Sequence, residues 1–256
     1  MIDRLRTLRC LLHPLLAVSV AAFAVAAGLS AAQAQPQPAP ATVPAASMAS
    51  RVLACTVCHG KEGRATPEGY FPRIAGKPAG YLANQLLNFR DGRRSYPQMT
   101  YLIEHLTDDY LREMAEYFAA QDLPYPPPLA PQVPPAVLER GRVLVQHGDA
   151  ARRIPACVAC HGAAMTGVAP SIPGLLGLPR DYLNGQLGAW KTGQRRAHVP
   201  DCMADIARQL TPDDVSAVSA WLAAQPVAAG GKPARTLPAA MPARCGGVAE
   251  VPVAGR

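Results

Sequence analysis

The sequence predicts an all-α chain made of two small helical domains in tandem, and three observations carry that prediction. The segment Cys55-Thr56-Val57-Cys58-His59-Gly60 returns as Cys157-Val158-Ala159-Cys160-His161-Gly162, 102 residues further on. Each copy ends in an amphipathic segment whose start carries a capping residue and acidic neighbours. No stretch shows the period-two alternation of a strand. The 256 residues include 27 prolines, which cluster between and outside the copies, so each folded unit is short and needs a staple beyond its apolar core. The formal charge is +7, but the basic residues are scattered singly or in pairs such as Arg93 and Arg94, without the runs that mark nucleic-acid arms. A nucleic-acid partner is therefore not expected.

Arg4, Arg6 and Arg9 precede an apolar segment from Leu15 to Leu29 that ends in Ala32-Gln33-Ala34, the pattern of a cleavable signal peptide over residues 1–34. The apolar run is shorter than the ~20 residues a bilayer span needs. No later segment is long and apolar enough to span, so no membrane span is expected after cleavage. Cleavage removes Cys10, three arginines and Asp3, which leaves six of the seven cysteines and takes the charge from +7 to +5, in an exported and oxidising space. Residues 35–45 read as a Pro/Ala-rich tether, 46–123 as the first domain, 124–135 as a Pro-rich linker, 136–225 as the second domain and 226–256 as a Pro/Gly-rich tail.

Taken in order, the first copy has only residues 46–52 before its cysteines, whereas a helix is expected over Glu139 to His147 before those of the second. After the cysteines, Pro72-x-Ile74-x-Gly76 matches Pro170-x-Ile172-x-Gly174, and Tyr81-Leu82-x-x-Gln85-Leu86 matches Tyr182-Leu183-x-x-Gln186-Leu187. Arg93-Arg94 matches Arg195-Arg196, and Met99, Leu106 and Thr107 match Met203, Leu210 and Thr211. Thr107 with Asp108 and Asp109, and Thr211 with Pro212, Asp213 and Asp214, begin the closing helices. Their apolar faces are Leu111, Met114, Ala115 and Phe118 in the first copy, and Val215, Val218 and Leu222 around one polar Ser219 in the second.

Cys-x-x-Cys-His is the attachment pattern of c-type haem. Cysteines three apart lie on one side of a helical turn, so both sulfurs can form thioethers to one porphyrin while the next histidine reaches the iron. A zinc site would need four closed ligands, and neither copy holds a second Cys/His pair at finger spacing. A redox dithiol would sit in a βαβ context that is missing here. Two covalent haem c groups are expected, attached at Cys55 and Cys58 and at Cys157 and Cys160, with His59 and His161 as proximal ligands. For the opposite face the duplication selects Met99 and Met203, which lie 40 and 42 residues after their histidines in stretches expected to be non-helical. Met114 aligns with Val218 on the core stripe, Met165 is too near His161, His105 aligns with Gln209, and His198 has no counterpart.

These motifs as a set, over about Ser50 to Gln225, resemble the dihaem class I cytochromes c of the cytochrome c4 type. The resemblance implies two all-α cytochrome c domains with their haems near the domain interface, carrying electrons in the bacterial periplasm, commonly toward terminal oxidases. It implies that Pro72 and Pro170 offer carbonyls to the proximal histidines. It also makes Tyr81, Gln85, Arg90, Arg93, Tyr182, Gln186 and Arg195 candidates to meet haem propionates or the interface.

Two cysteines remain, Cys202 beside Met203 and Cys245 in the tail. A disulfide between them is expected in an oxidising space, and the rival is thiolate ligation of the second iron by Cys202. The function expected is single-electron transfer between a donor and an acceptor protein, such as a dehydrogenase and a cytochrome oxidase, with no catalytic residues. The alternatives are a haem subunit of a periplasmic dehydrogenase, or a dihaem peroxidase or sulfur-oxidising cytochrome with a non-methionine distal site.

Overall fold

The computed structural model describes residues 47–255 apart from 67, 129 and 229, so the expected leader and tether lie outside the described residues. Ser47 starts α1 (Met48–Arg51), its side chain accepting from the Ser50 amide, and α2 (Leu53–His59) follows at once after the fully buried Val52. These short helices stand where the second copy has one longer helix. α3 (Ala79–Arg90) follows Pro78, α4 (Pro97–Ile103) has Pro97 in its first turn, and α5 (Asp108–Ala119) is capped by Thr107 Oγ1, which accepts from the Tyr110 amide. Leu111, Met114, Ala115 and Phe118 turn inward as their spacing predicts and close a core with Val52, Leu82, Phe89 and Ile103.

The second copy opens with α6 (Pro135–His147), four residues earlier than the Glu139 expected. Pro135 sits at the helix start, where its missing N–H leaves no orphan donor. α6 crosses α10 (Pro212–Ala223) at Gly141, where a Cβ would lie 2.2 Å from the Ala217 carbonyl oxygen, so only glycine fits the crossing. α10 starts in a capping box in which Thr211 and Asp214 satisfy each other's backbone amides. Between them run α7 (Val158–His161), α8 (Arg180–Thr192) and α9 (Cys202–Gln209). Leu144, Val145, Leu183, Val218 and Leu222 form the core, and Met165 is buried among them.

Three features depart from the sequence reading. A two-residue antiparallel pair, β1 (Gly167–Val168) with β2 (Ile172–Pro173), follows the second motif; it is too short to leave an alternation in sequence. The tail is packed: Leu237 and Val251 bury with Val168 and Ile172, and the Ala169 amide donates to the Ala234 carbonyl at 2.8 Å. The linker is held as well. Proline-rich backbone leaves carbonyls that no helix or ladder satisfies. The buried Arg73 guanidinium takes up those of Leu123 at 2.6 Å and Pro124 at 3.2 Å, and stacks 3.9 Å from the Tyr125 ring centroid. No helix of the described residues is long and apolar enough to cross a membrane.

Candidate haem-binding site

α2 ends by delivering Cys55, Cys58 and His59, and Gly60 turns the chain away with φ 74°, a conformation that places a would-be Cβ 2.2 Å from the Ala65 carbonyl oxygen. The same turn recurs at α7, where Cys157, Cys160 and His161 precede Gly162 with φ 82°. His59 and His161 are buried, 8% and 7% exposed. Each orients its ring by one bond: His59 Nδ1 donates to the Pro72 carbonyl at 2.9 Å and His161 Nδ1 to the Pro173 carbonyl at 2.8 Å. A carbonyl only accepts, so the proton is on Nδ1 and the Nε2 lone pair is free to ligate a metal. Burial lowers both histidine pKa values and favours the neutral ring that a metal requires.

The second carbonyl corrects the sequence expectation. Pro170 accepts instead from the Tyr81 amide of the first domain at 3.3 Å. The repeat runs at an offset of 101 here, with Pro72 equivalent to Pro173 and Pro78 to Pro179 before α3 and α8. The β1–β2 pair shifts the chain between motif and loop, and the Pro-x-Ile-x-Gly match is a coincidence of spelling.

Met99 stands at the start of α4 and Met203 at the start of α9, so both lie on short helices rather than in the non-helical stretches expected. Pro97 opens the first, and Asp201 opens the second by accepting from the Ala204 amide at 3.1 Å. Both methionines line one continuous cavity of about 600 Å³ that also holds His59, His161 and the four motif cysteines. Its lining is mainly apolar. Burial pushes the Cys157 thiol up to about 12 and raises Cys55 and Cys160, the opposite of an activated redox dithiol. Among the described residues no three His, Cys, Asp or Glu side chains converge as round a zinc ion.

Where the domains meet, Arg94 and Arg195 pair as a short antiparallel bridge. Arg94 Nη2 donates to Gln186 Oε1 at 2.7 Å and to the Tyr182 hydroxyl at 3.0 Å. Arg195 donates to Gln85 Oε1 at 2.9 Å and Gln186 Oε1 at 2.8 Å, and stacks 3.8 Å from the Trp190 centroid. Burial pushes the Tyr182 hydroxyl up, yet the two guanidinium charges outweigh it and hold its pKa below the ordinary value. Of the candidates named from sequence, Tyr81, Gln85, Tyr182, Gln186 and Arg195 meet here, and Arg94 joins them. Arg93 instead donates to Asn88 and Asp91, and Arg90 to Asp91 and the Leu106 carbonyl. The 101-residue offset of the Tyr-Leu-x-x-Gln-Leu helices was the signal that finds Arg94 and Pro173. Nothing in the sequence marked Trp190, whose buried Nε1 lines the cavity with no partner in the chain.

Cys202 and Cys245 are joined in a disulfide, which ties the tail beside Met203 and takes up the sulfur that the rival reading needed as a thiolate. The tail also reaches the first domain, its Gly247 carbonyl accepting from Asn84 Nδ2 at 2.6 Å. Thiol pairs on one helical turn, an imidazole with free Nε2, a thioether in the same apolar cavity, buried cations without carboxylates and an orphaned indole N–H together fit a haem with its two acidic arms. The thiol pair, imidazole and thioether recur in both copies, the indole in the second alone, and in a helical chain they define a dihaem class I cytochrome c.

No protein-family model matches the chain. It is 36% identical over 174 residues to the thiosulfate dehydrogenase electron acceptor of Thiomonas intermedia, covering 68% of this chain and 79% of that one. It is 31% identical over 180 residues to cytochrome c4 of Pseudomonas aeruginosa, covering 70% and 87%. The solved cytochrome c4 of Pseudomonas stutzeri superposes with a TM-score of 0.57 at 27% identity, covering 69% of this chain and 95% of that one. A thiosulfate dehydrogenase of Marichromatium purpuratum superposes with a TM-score of 0.61 at 36% identity over 68% of this chain, which spans only 36% of that longer protein. The chain belongs to the cytochrome c4 family, binds two covalent haem c groups and carries electrons between redox partners.

Proposed function

We propose that the chain is a periplasmic single-electron carrier with two histidine/methionine haems. Cys55 and Cys58 hold the first haem and Cys157 and Cys160 the second, with His59 and Met99, and His161 and Met203, as the axial pairs. Each haem supplies a one-electron Fe(III)/Fe(II) couple when bound. The observation that carries this reading is the same pairing in both domains of an Nδ1-anchored histidine and a methionine on one apolar cavity. The Pro72 and Pro173 carbonyls fix the imidazole planes. Met99 and Met203 would hold the irons opposite the histidines and so keep water and peroxide out, which favours electron transfer over enzymatic turnover. Arg94, Arg195 and Trp190 are placed to receive the acidic arms. On this reading a leader at 1–34 is removed on export, and a tether at 35–45, domains at 46–123 and 136–225, a linker at 124–135 and a tail at 226–256 follow it.

The acceptor we propose is a terminal oxidase, as in the resemblance drawn from sequence. A second reading for the donor is favoured by the 36% identity to a thiosulfate dehydrogenase electron acceptor, above the 31% to the cytochrome c4 named with it. On that reading a periplasmic thiosulfate-oxidising enzyme feeds this chain. Rapid mixing of the ferric holoprotein with such an enzyme and thiosulfate should reduce both haems, and oxidase-containing membranes should reoxidise them. Reduction by thiosulfate without the enzyme would overturn the carrier reading.

A further inference from the structure

Lys77 is buried, 4% exposed, and it reaches out of its own domain toward the histidine anchor of the other. Its Nζ donates at 3.0 Å to the carbonyl of Gly174, the residue after Pro173, whose own carbonyl orients His161. No carboxylate of the described residues pairs with it. A buried ammonium held only by a carbonyl is costly, so its position calls for a purpose or a further partner. Burial, with Arg73 nearby, brings its pKa down to about 7, and its charge reaches His161 of the other domain, whereas the charge felt by His59 is that of Arg94. At the 101-residue offset its counterpart is Leu178, so the second domain has no lysine at the equivalent position.

We propose that Lys77 is an interdomain positioning residue for the second haem, fixing the Gly174 carbonyl beside the Pro173 anchor of His161 and raising that haem's reduction potential with its charge. The proposal rests on the assignment of His161 and Met203 as the second axial pair. A cation near a haem favours the reduced iron, which carries one positive charge less, so removal of the cation lowers the potential. The effect runs one way across the interface, from the first domain to the second haem.

The test is an optical potentiometric titration of holoprotein carrying Lys77→Met, Lys77→Gln and Lys77→Arg, with the second-haem wave identified as the one displaced by Met203→His. At a pH of about 6, where Lys77 is charged, Lys77→Met should weaken the second haem's preference for the reduced state by roughly tenfold, or about 59 mV for a one-electron couple, while the first wave moves by less than a third of that. Lys77→Arg should keep the wild-type value. Lys77→Gln, which keeps a donor but no charge, should shift in the same direction and serves if Lys77→Met fails to load two haems. An unmoved second wave, or equal shifts of both waves, would overturn the proposal. The far-red sulfur-to-iron band of methionine-ligated ferric haem separates the two claims. If it persists at two-haem intensity while no wave moves, Lys77 has no such role and the ligation stands. Its absence from the second haem of the wild type would overturn the ligation itself.

Discussion

Arg94 and Arg195, equivalent residues of the two domains, each reach across the interface to the other domain's glutamine, Arg94 to Gln186 at 2.7 Å and Arg195 to Gln85 at 2.9 Å. The exchange makes the interface pseudo-symmetric, and it brings two like charges together with only neutral partners. A buried pair of like charges is costly without a negative partner, which the acidic arms of the proposed haems would supply.

Arg195→Ala should therefore cost about 1.5 to 3 kcal/mol of holoprotein stability, the range for hydrogen bonds to a charged group. Denaturant unfolding followed at the haem band checks it. A loss below ~0.5 kcal/mol would mean the guanidinium is replaced by solvent without consequence.

Gly141→Ala should cost about 1 to 3 kcal/mol, because its Cβ would meet the Ala217 carbonyl at 2.2 Å and drive α6 from α10. Gly188→Ala, on α8 with open space around its Cα, should instead add about 0.5 to 1 kcal/mol through helix propensity. Thermal melts of the two variants should move in opposite directions.

Asp214 gives the fold an acid limit. Burial raises its pKa, but the Arg152 guanidinium, the Thr211 amide and Arg140 outweigh burial and hold the carboxyl well below its ordinary 3.8. With the folded value depressed, the stabilisation is complete above pH 3.8 and is lost progressively as the pH falls below it. Asp214→Asn should lower stability at neutral pH and flatten the acid limb of a stability-against-pH curve. An unchanged acid limb would assign the loss to other carboxylates.

The disulfide closes a loop of 43 residues in sequence separation, for which chain entropy suggests about 4 kcal/mol. Cys245→Ser should lower the stability of the second domain by an amount of that order and loosen the tail from Pro200, whose carbonyl accepts from the Gly246 amide at 2.9 Å. Hydrogen exchange in residues 237–254 should rise with it. Protection unchanged from the wild type would show that the Leu237 and Val251 cluster holds the tail unaided.

The sequence made the haem attachment and the closing helices legible because both rest on short-range chemistry: a cysteine pair one turn apart, a threonine before two acids, apolar residues at helical spacing. Leu111, Met114, Ala115, Phe118, Val215, Val218 and Leu222 are all buried. The partner of His161 was misplaced because spelling matched Pro170 to Pro72, whereas the chain between motif and loop is reshaped by a two-residue β pair. Arg93 was preferred to Arg94 for a similar reason, since adjacent arginines differ only by which side of the turn after α3 they leave. The packing of linker and tail was illegible because their bonds run from side chains such as the buried Arg73 and the partly buried Asn84 to backbone carbonyls far along the chain, which no local pattern encodes.

The most direct test is the far-red sulfur-to-iron band of the ferric holoprotein in the wild type, Met99→Ala, Met203→Ala and the double variant. Two histidine/methionine haems predict that each single variant loses about half of the band and that the double variant loses all of it, with haem content unchanged. A band that survives Met203→Ala at full intensity would contradict the assignment of the second haem, and with it the reading of both haems as closed electron-transfer sites.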